Sequence, residues 1–305
     1  MPDPRSWPSL DDERHLADEL FGERGQTLLD SWLEQQLSRL DDTAFARSFS
    51  DHIDLPGVGV DDYLHRRIDT SAGSLLGGIR FYGRDINRPF VEIVAHSFTN
   101  IDRLRDCVSQ EWSMFAAPLL RLQTRPGRLI HADVVLDENV YVARYRDMHS
   151  PGPGVWLERF DEVDDAEALV SARYRCLAAD DPALARNVFR ATAADLRDWH
   201  SFGQLHAIRT HEAVVGLIAV APGRIGWIEG DEINEEVVAV GHRGHGYAAL
   251  AQRALAGRRA TDKAELLVGT IDGRNVASRK TAEAAGRRRV LDAVFVPLDR
   301  ASATP

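Results

Sequence analysis

Cysteine occurs twice in 305 residues, at Cys107 and Cys176, with no motif spacing around either. Two such thiols argue against a disulfide framework or a structural zinc site, and they fit a reducing cytoplasm. Both are expected as buried small hydrophobes. Lysine is also scarce: only Lys263 and Lys280 occur, and arginine carries the rest of the basic charge. No run of about 18 apolar residues is present, so nothing predicts a membrane-spanning helix. The opening MPDPRSWPSLDDERH is acidic and proline-bearing, unlike the basic start and apolar middle of a signal peptide. Excess positive charge is missing as well. The formal net charge of −10 disfavours nucleic acid as a partner and favours a cationic ligand such as an amine.

What remains is an ordinary globular mixture, 44% hydrophobic and 28% charged, long enough for two cores. DMHSPGPG, Asp147 to Gly154, packs prolines and glycines into a stretch without periodicity. We expect a domain break there, with one domain over 1–148, a linker at 149–154 and a second domain over 155–305. LPGVGV, Leu55 to Val60, reads as a loop inside the first domain. In the first half, Leu28, Leu29, Trp32, Leu33, Leu37 and Leu40 recur at helical spacing. SLLGGIRFYG and RPFVEIVAHSF read as two strands around a polar turn. A helix with Leu104, Val108, Trp112 and Phe115 on one face follows, then LIHADVVLD and VYVARYR as two further strands. In the second half VWLERF, QLHAIRT, AVVGLIAVAP, EINEEVVAV, LLVGTI and VLDAVFVPL read as strands. DAEALVSARYRCLA, ALARNVFRATAADLRDW, YAALAQRALAGRRA and NVASRKTAEAAG read as helices. Hairpins mixed with strand–helix crossovers predict an α+β fold rather than a doubly wound sheet.

One segment carries chemistry. In EEVVAVGHRGHGYAALAQRAL an apolar strand runs through Arg243-Gly244-His245-Gly246-Tyr247-Ala248 directly into a helix. A helix start offers unpaired N–H groups and partial positive charge, and glycines let a diphosphate approach the backbone. The glycine spacing does not fit a dinucleotide fingerprint, and no Gly-Lys-Ser/Thr marks a P-loop.

This segment resembles the pyrophosphate motif of the GCN5-related N-acetyltransferase (GNAT) superfamily, Gln/Arg-x-x-Gly-x-Gly/Ala, with Arg243, Gly246 and Ala248 at the defining positions. A second motif follows, Asn275 to Ser278 and on through Glu283 to Gly286, after the strand LLVGTI. The resemblance covers about Val155 to Leu298 and implies a GNAT-type mixed, splayed sheet flanked by helices. It implies that acetyl-CoA, or another short acyl-CoA, is the co-substrate and that no metal is required. The backbone of Val238 to Val240 would pair with pantetheine, Gly244, Gly246 and Ala248 would bind phosphate, and Asn275 would bond the pantetheine arm with Ser278 in the same motif. Two departures stand out. The tyrosine that some members carry seven residues after the asparagine is Ala282, and the usual Gly-Phe is Gly286-Arg287.

In the superfamily the base is often a carboxylate on the strand leading to the phosphate loop. Alternation puts Glu232, Asn234, Glu236 and Val238 on one face and Glu235 on the other. Glu236 is the first candidate and Glu232 the second. A catalytic nucleophile is not expected, since no Cys–His or Gly-x-Ser-x-Gly arrangement exists. His242 and His245 flank Arg243 and are assigned to loop or solvent. In the first half SLLGGIRFYG and RPFVEIVAHSF resemble the central hairpin of the same fold, with SFTNIDRLRD in place of the phosphate loop. That half is expected to be an α+β domain, either a degenerate second copy of this fold or an unrelated one. The function implied is N-acyl transfer, most simply acetyl, to a primary amine of a small molecule or peptide. The alternative is an acyl-CoA-binding sensor without turnover. No nucleic acid or membrane partner is expected, and a homo-oligomer is left open.

Overall fold

A computed structural model describes residues 3–128, 133–258 and 265–299. In chain order the helices and strands are α1 (Asp11–Phe21), α2 (Glu23–Ser38), α3 (Thr43–Ser50), β1 (Arg66–Thr70), β2 (Gly73–Phe81), β3 (Pro89–His96), α4 (Ile101–Glu111) and β4 (Leu119–Thr124). Then come β5 (Val135–Arg144), β6 (Trp156–Arg159), α5 (Val163–Asp180), α6 (Pro182–Ala185), α7 (Ala193–Ser201), β7 (Leu205–Arg209) and β8 (Val214–Ile225). The chain closes with β9 (Ile228–Val238), α8 (Tyr247–Arg258), β10 (Leu266–Asp272), α9 (Val276–Ala285) and β11 (Arg288–Pro297). No helix among the described residues is long and apolar enough to cross a membrane.

Two compact units are present, one of residues 1–137 and 291–305 and the other of 138–290. This differs from the break expected at 147–154. Residues 138–144 of β5 pair antiparallel with β10, from Glu138↔Asp272 to Arg144↔Leu266, which ties them to the second unit. The proline–glycine segment lies inside that unit: Tyr145, Met148 and Val155 join its core, and the His149 N–H donates to Ala285 O at 3.2 Å. The last strand goes the other way, since Asp292–Pro297 pairs with β4 in the first unit. LIHADVVLD and VYVARYR are not two strands. From Val135 they are the single strand β5, and Leu129 to Ala132 lie outside the described residues. Lys263, and Arg259 and Ala260 of the expected helix, also lie outside them. The long helix expected over ALARNVFRATAADLRDW is broken into α6 and α7. Thr192 caps α7 by accepting from Asp195 N, and the Asp195 side chain returns the bond. Cys107 and Cys176 are free and half-buried rather than buried.

In unit 2 the strand order is β5–β10–β9–β8–β7–β6. The central strand β8 is apolar on both faces. Leu217 and Ala219 pack with Val170 of α5 and Leu196 of α7, while Ile218 and Val220 pack with Ala251 and Leu255 of α8. Burial on both faces explains the continuous apolar run VVGLIAV, where a one-sided sheet would show alternation. In unit 1 the order is β1–β2–β3–β4–β11. Leu104 and Val108 of α4 pack on Leu75, Ile79, Val91 and Leu120, and Trp7, Leu10 and Leu33 cover Leu76 and Ala95.

Candidate active site

The site of unit 2 is made by a failure of pairing. β9 and β10 are parallel neighbours, yet only Asp231↔Leu267 and Glu232↔Val268 pair. Beyond them the strands part. β9 carries a bulge at that point, because Val220 opposes Ile233 and Ala219 opposes Glu235, leaving Asn234 as the extra residue. A bulge bends and twists its strand, so it steers β9 away from β10. The opening is a cavity of about 300 Å³, lined on the β9 side by Glu232 to Glu236 and on the β10 side by Gly269 to Asp272.

The bulge also corrects the alternation read from sequence. Glu236 opposes Ile218 and shares its face, the one covered by α8. Glu232 opposes Ala221, on the face of Ala219 and α5, together with Glu235. The two candidate bases therefore leave β9 on opposite faces, and both reach the cavity because it opens at the strand's edge. Glu236 accepts from the Gln252 side-chain amide at 3.0 Å on each oxygen. Burial pushes its carboxyl above the usual range, against the Gln252 bonds and the Arg287 charge, which pull it down. Glu232 is half-buried and is likewise raised by burial. Glu235 is raised by burial too, but it is already engaged by Ala191 N at 3.1 Å and by Tyr174 Oη at 3.3 Å.

Tyr174, on α5, was not found from sequence, since nothing local marks it. It lines the cavity and donates to Phe189 O at 2.9 Å. Burial first, then the Glu235 charge, raises its hydroxyl above the usual tyrosine range. With the Asn187 amide donating to Asp272 Oδ2 at 2.9 Å, these bonds hold the segment between α6 and α7 over the opening. At the position of the absent tyrosine, Ala282 is fully buried against Tyr141 and Ile271.

Asn275 and Ser278 line the same cavity. Asn275 caps α9, accepting from Ser278 N at 3.1 Å through Oδ1, which leaves its NH₂ as a donor. Val238, Val240 and the glycine loop are not part of the cavity lining. At the end of β9, Ala239 N donates to Val215 O at 2.9 Å, so alternation turns the Val238 amide to the opposite, open side. Val240 instead opens a 3-10 turn, Val240–His242, and is exposed. Gly244 and Gly246 have φ of 82° and 73°, in the left-handed region, and a Cβ on either would meet nothing within 4 Å. The N–H groups of Gly244, Gly246 and Ala248 have no hydrogen-bond partner among the described residues. Arg243 makes a 3.5 Å ion pair with Asp180 in which both side chains are exposed. His245 stacks on Tyr247 with centroids 5.5 Å apart, and His242 meets the same ring edge-on.

Unit 1 has a second splay. β3 and β4 pair in parallel only at Val91↔Leu120 and Glu92↔Arg121, and the bulge falls at Val94, as Leu76 opposes Ala95 and Gly77 opposes Ile93. A cavity of about 440 Å³ opens there, with His96 in its wall. Its surroundings differ. Ser9 Oγ accepts from His96 N at 2.7 Å, so the chain's own N-terminal segment uses an amide that faces the opening. Asn100 caps α4, accepting from Asp102 N at 2.7 Å, and the preceding Ser97-Phe98-Thr99 has no glycine.

Among the described residues no group of three or more His, Cys, Asp or Glu could hold a metal ion. No family model matches the sequence, and no curated protein matches it. Among solved structures, the chain is similar to a GNAT-family acetyltransferase from Colwellia psychrerythraea, with 13% identity and a TM-score of 0.47 over 87% of this chain and 97% of that one. It is similar to a GCN5-related N-acetyltransferase from Sphaerobacter thermophilus, with 14% identity and a TM-score of 0.48 over 98% and 95%. A tandem GNAT protein from the clavulanic acid biosynthesis pathway aligns over 90% of this chain and 97% of its own, with 13% identity and a TM-score of 0.39. At these scores the likenesses carry no weight for activity. The solved structures that this chain resembles thus include GNAT-family acetyltransferases, a tandem GNAT protein among them.

Proposed function

We propose that unit 2 transfers an acyl group, most simply acetyl from acetyl-CoA, to a primary amine by direct attack. The observation that supports this most is the parting of β9 from β10 after two paired residues, with the ionisable Glu236 in the wall of the opening. The residues present fit an acyl-CoA. Gly244 and Gly246 leave open space around a helix start with free N–H groups, which suits a diphosphate, and Arg243 adds charge beside it. The Val238 amide and the Asn275 NH₂ would serve a pantetheine arm as donors. Bound acyl-CoA supplies the activated carbonyl; the chain's own residues move protons and orient the acceptor.

An amine is protonated at neutral pH and must lose a proton before it attacks. In this reading Glu236 takes it, and a carboxyl raised by burial is a better acceptor than an ordinary one. Glu232 faces the opening from the other side of β9 and is the second candidate. Tyr174 holds its proton across the neutral range and is the phenol among the described lining residues that can serve as acid where Ala282 cannot. The five carboxylates around the cavity, Glu138, Glu232, Glu235, Glu236 and Asp272, favour a cationic acceptor. We read unit 1 as a second copy of the same fold whose opening lacks the glycine cradle, and the half-buried free thiols as suited to a reducing cytoplasm.

The buried alanine in the usual tyrosine's place favours a second reading, an acyl-CoA sensor without turnover. One experiment separates the two: thiol release from acetyl-CoA across a panel of primary amines, run beside thermal denaturation with acetyl-CoA. A catalyst releases thiol, and Glu236→Gln lowers release about 10²–10⁴-fold while keeping the thermal shift. A sensor shows the shift and no release with any amine.

A further inference from the structure

Among the described residues the cavity of unit 2 holds one cation, and it is buried. Among the described lining residues Arg287 is the single basic side chain, 4% exposed. Taking a guanidinium out of water costs roughly several kcal/mol, and buried arginines usually recover it in a bidentate carboxylate pair. Among the described residues Arg287 has no such pair. Its Nη1 donates to Gln252 Oε1 at 3.5 Å, its Nη2 to Tyr141 O at 3.3 Å, and its Nε has no partner. Gln252, 1% exposed on α8, directs its other end at Glu236, donating at 3.0 Å to each carboxylate oxygen. The amide thus turns its carbonyl to the cation and its NH₂ to the anion, the orientation that satisfies both ends. β10 makes room for this: a Cβ at Gly269 would lie 2.9 Å from Arg287 Nη2.

We propose that Arg287 is a positioning residue for acyl transfer, holding the Glu236 carboxylate at the cavity wall as proton acceptor through the Gln252 amide. The proposal rests on the reading of Glu236 as the base and deepens it. Burial alone would drive Glu236 towards the neutral acid, which cannot accept a proton; the Gln252 bonds and the Arg287 charge oppose that. Reciprocally, Glu236 is the main charge that offsets the burial of Arg287, whose guanidinium is pushed down to about 10 and stays cationic. The other charged groups around the opening all carry the wrong sign to help: Glu232 and Glu235 on β9, Glu138 on β5 and Asp272 on β10. Tyr174 on α5 is neutral, and Tyr141 and Tyr145 act on the Arg287 side. Arg287 is therefore the countercharge on which the ionised state of Glu236 depends.

The test is an infrared titration of carboxyl bands in the ligand-free full chain, with Glu236→Gln used to assign the Glu236 band. In Arg287→Met the Glu236 midpoint should rise by about one pH unit or more. Arg287→Lys, which keeps the charge, should give a smaller rise. Gln252→Leu, which cuts the bridge and leaves Arg287 in place, should also raise it, and this variant decides the matter if Arg287→Met does not fold. An unchanged midpoint in a folded Arg287→Met or Gln252→Leu protein overturns the proposal. Full amine acetylation by Glu236→Gln would instead remove the base reading beneath it, and the titration tells the two failures apart.

Discussion

The double variant Arg243→Glu, Gly246→Asp separates binding at the glycine loop from stability of the fold. Gly246 has φ of 73°, so a non-glycine residue there is strained, by about 1–2 kcal/mol for most side chains. Nothing lies within 4 Å of its Cβ position, so no steric term is added. Arg243 gives up an ion pair with Asp180 in which both partners are exposed, which contributes little to folding. The variant should fold, with a melting temperature a few degrees lower. Towards the ligand the change is much larger, because two carboxylates replace a cation and an open backbone at the entry to free N–H groups. Acetyl-CoA at about 100 times its Kd should stabilise the native chain by about 2.7 kcal/mol. For a unit of this size that is about 5–10 °C, at roughly 2–4 °C per kcal/mol. The assay is thermal denaturation of both proteins with and without acetyl-CoA. The native chain should show the rise and the variant less than about 1 °C. An equal rise in both would refute the reasoning, since the diphosphate would then be bound away from this loop.

Glu236→Gln keeps the shape of the Gln252 contact but cannot take a proton, so turnover should fall about 10²–10⁴-fold while the acetyl-CoA thermal shift persists; retained turnover would remove Glu236 as base. In unit 1, His65 is buried, with Nδ1 against Gln36 O at 3.0 Å and Nε2 against Arg80, and burial pushes it down to about 3. The folded value lies below the unfolded one of about 6.5, so its stabilisation is complete above that value and is lost as pH falls from there towards 3. By about pH 4.5 the loss from this group should approach 2–3 kcal/mol. His65→Gln, monitored by denaturant unfolding between about pH 7 and 4.5, should flatten that dependence; an unchanged slope would clear His65. Ser9→Ala leaves the His96 N–H without its acceptor and should destabilise unit 1 by about 1–2 kcal/mol, read as a lower denaturation midpoint with unchanged slope.

The parts of the site that depend on local order were legible in the sequence. A strand, a turn with glycines and a helix start must lie in contiguous residues, and Gly244, Gly246 and Ala248 occur where that pattern put them. The two hairpin strands of unit 1 were legible for the same reason. What failed depends on register and on partners far along the chain. A period-two reading of β9 put Glu232 and Glu236 on one face, and a single extra residue at Asn234 reverses one of them. Nothing in INEEVV announces that bulge. The proline–glycine segment looked like a domain border, but the units are set by which strands pair, and β5 and β11 pair outside their own halves of the chain. Tyr174 and Gln252 belong to helices whose approach to β9 no local pattern encodes. Arg287 was visible as a departure from the expected glycine-aromatic pair, and only its bond to Gln252 gives that departure a role.

The two openings share a strand geometry and differ in how their backbone amides are satisfied. In each, the strand loses its parallel neighbour after two pairs and carries a bulge two residues later, at Val94 in one and Asn234 in the other. Four residues past the last pair stand His96 and Glu236 respectively. The sheets are therefore bent by the same device, and the differences lie in what meets the exposed backbone. In unit 1, Ser9 takes the His96 amide and Asn100 takes the first amides of α4, so donors that a ligand would need are already satisfied. In unit 2, the glycine turn leaves the equivalent helix start unsatisfied. Unpaired donors persist in a folded chain only where water or a ligand can reach them, and Gly244 and Gly246 are exposed. In the wall of the unit 1 opening, His96 is pushed down to about 4 by burial and is neutral. Glu236 is ionisable and has a countercharge brought in through Gln252, as the proton exchange proposed for unit 2 requires.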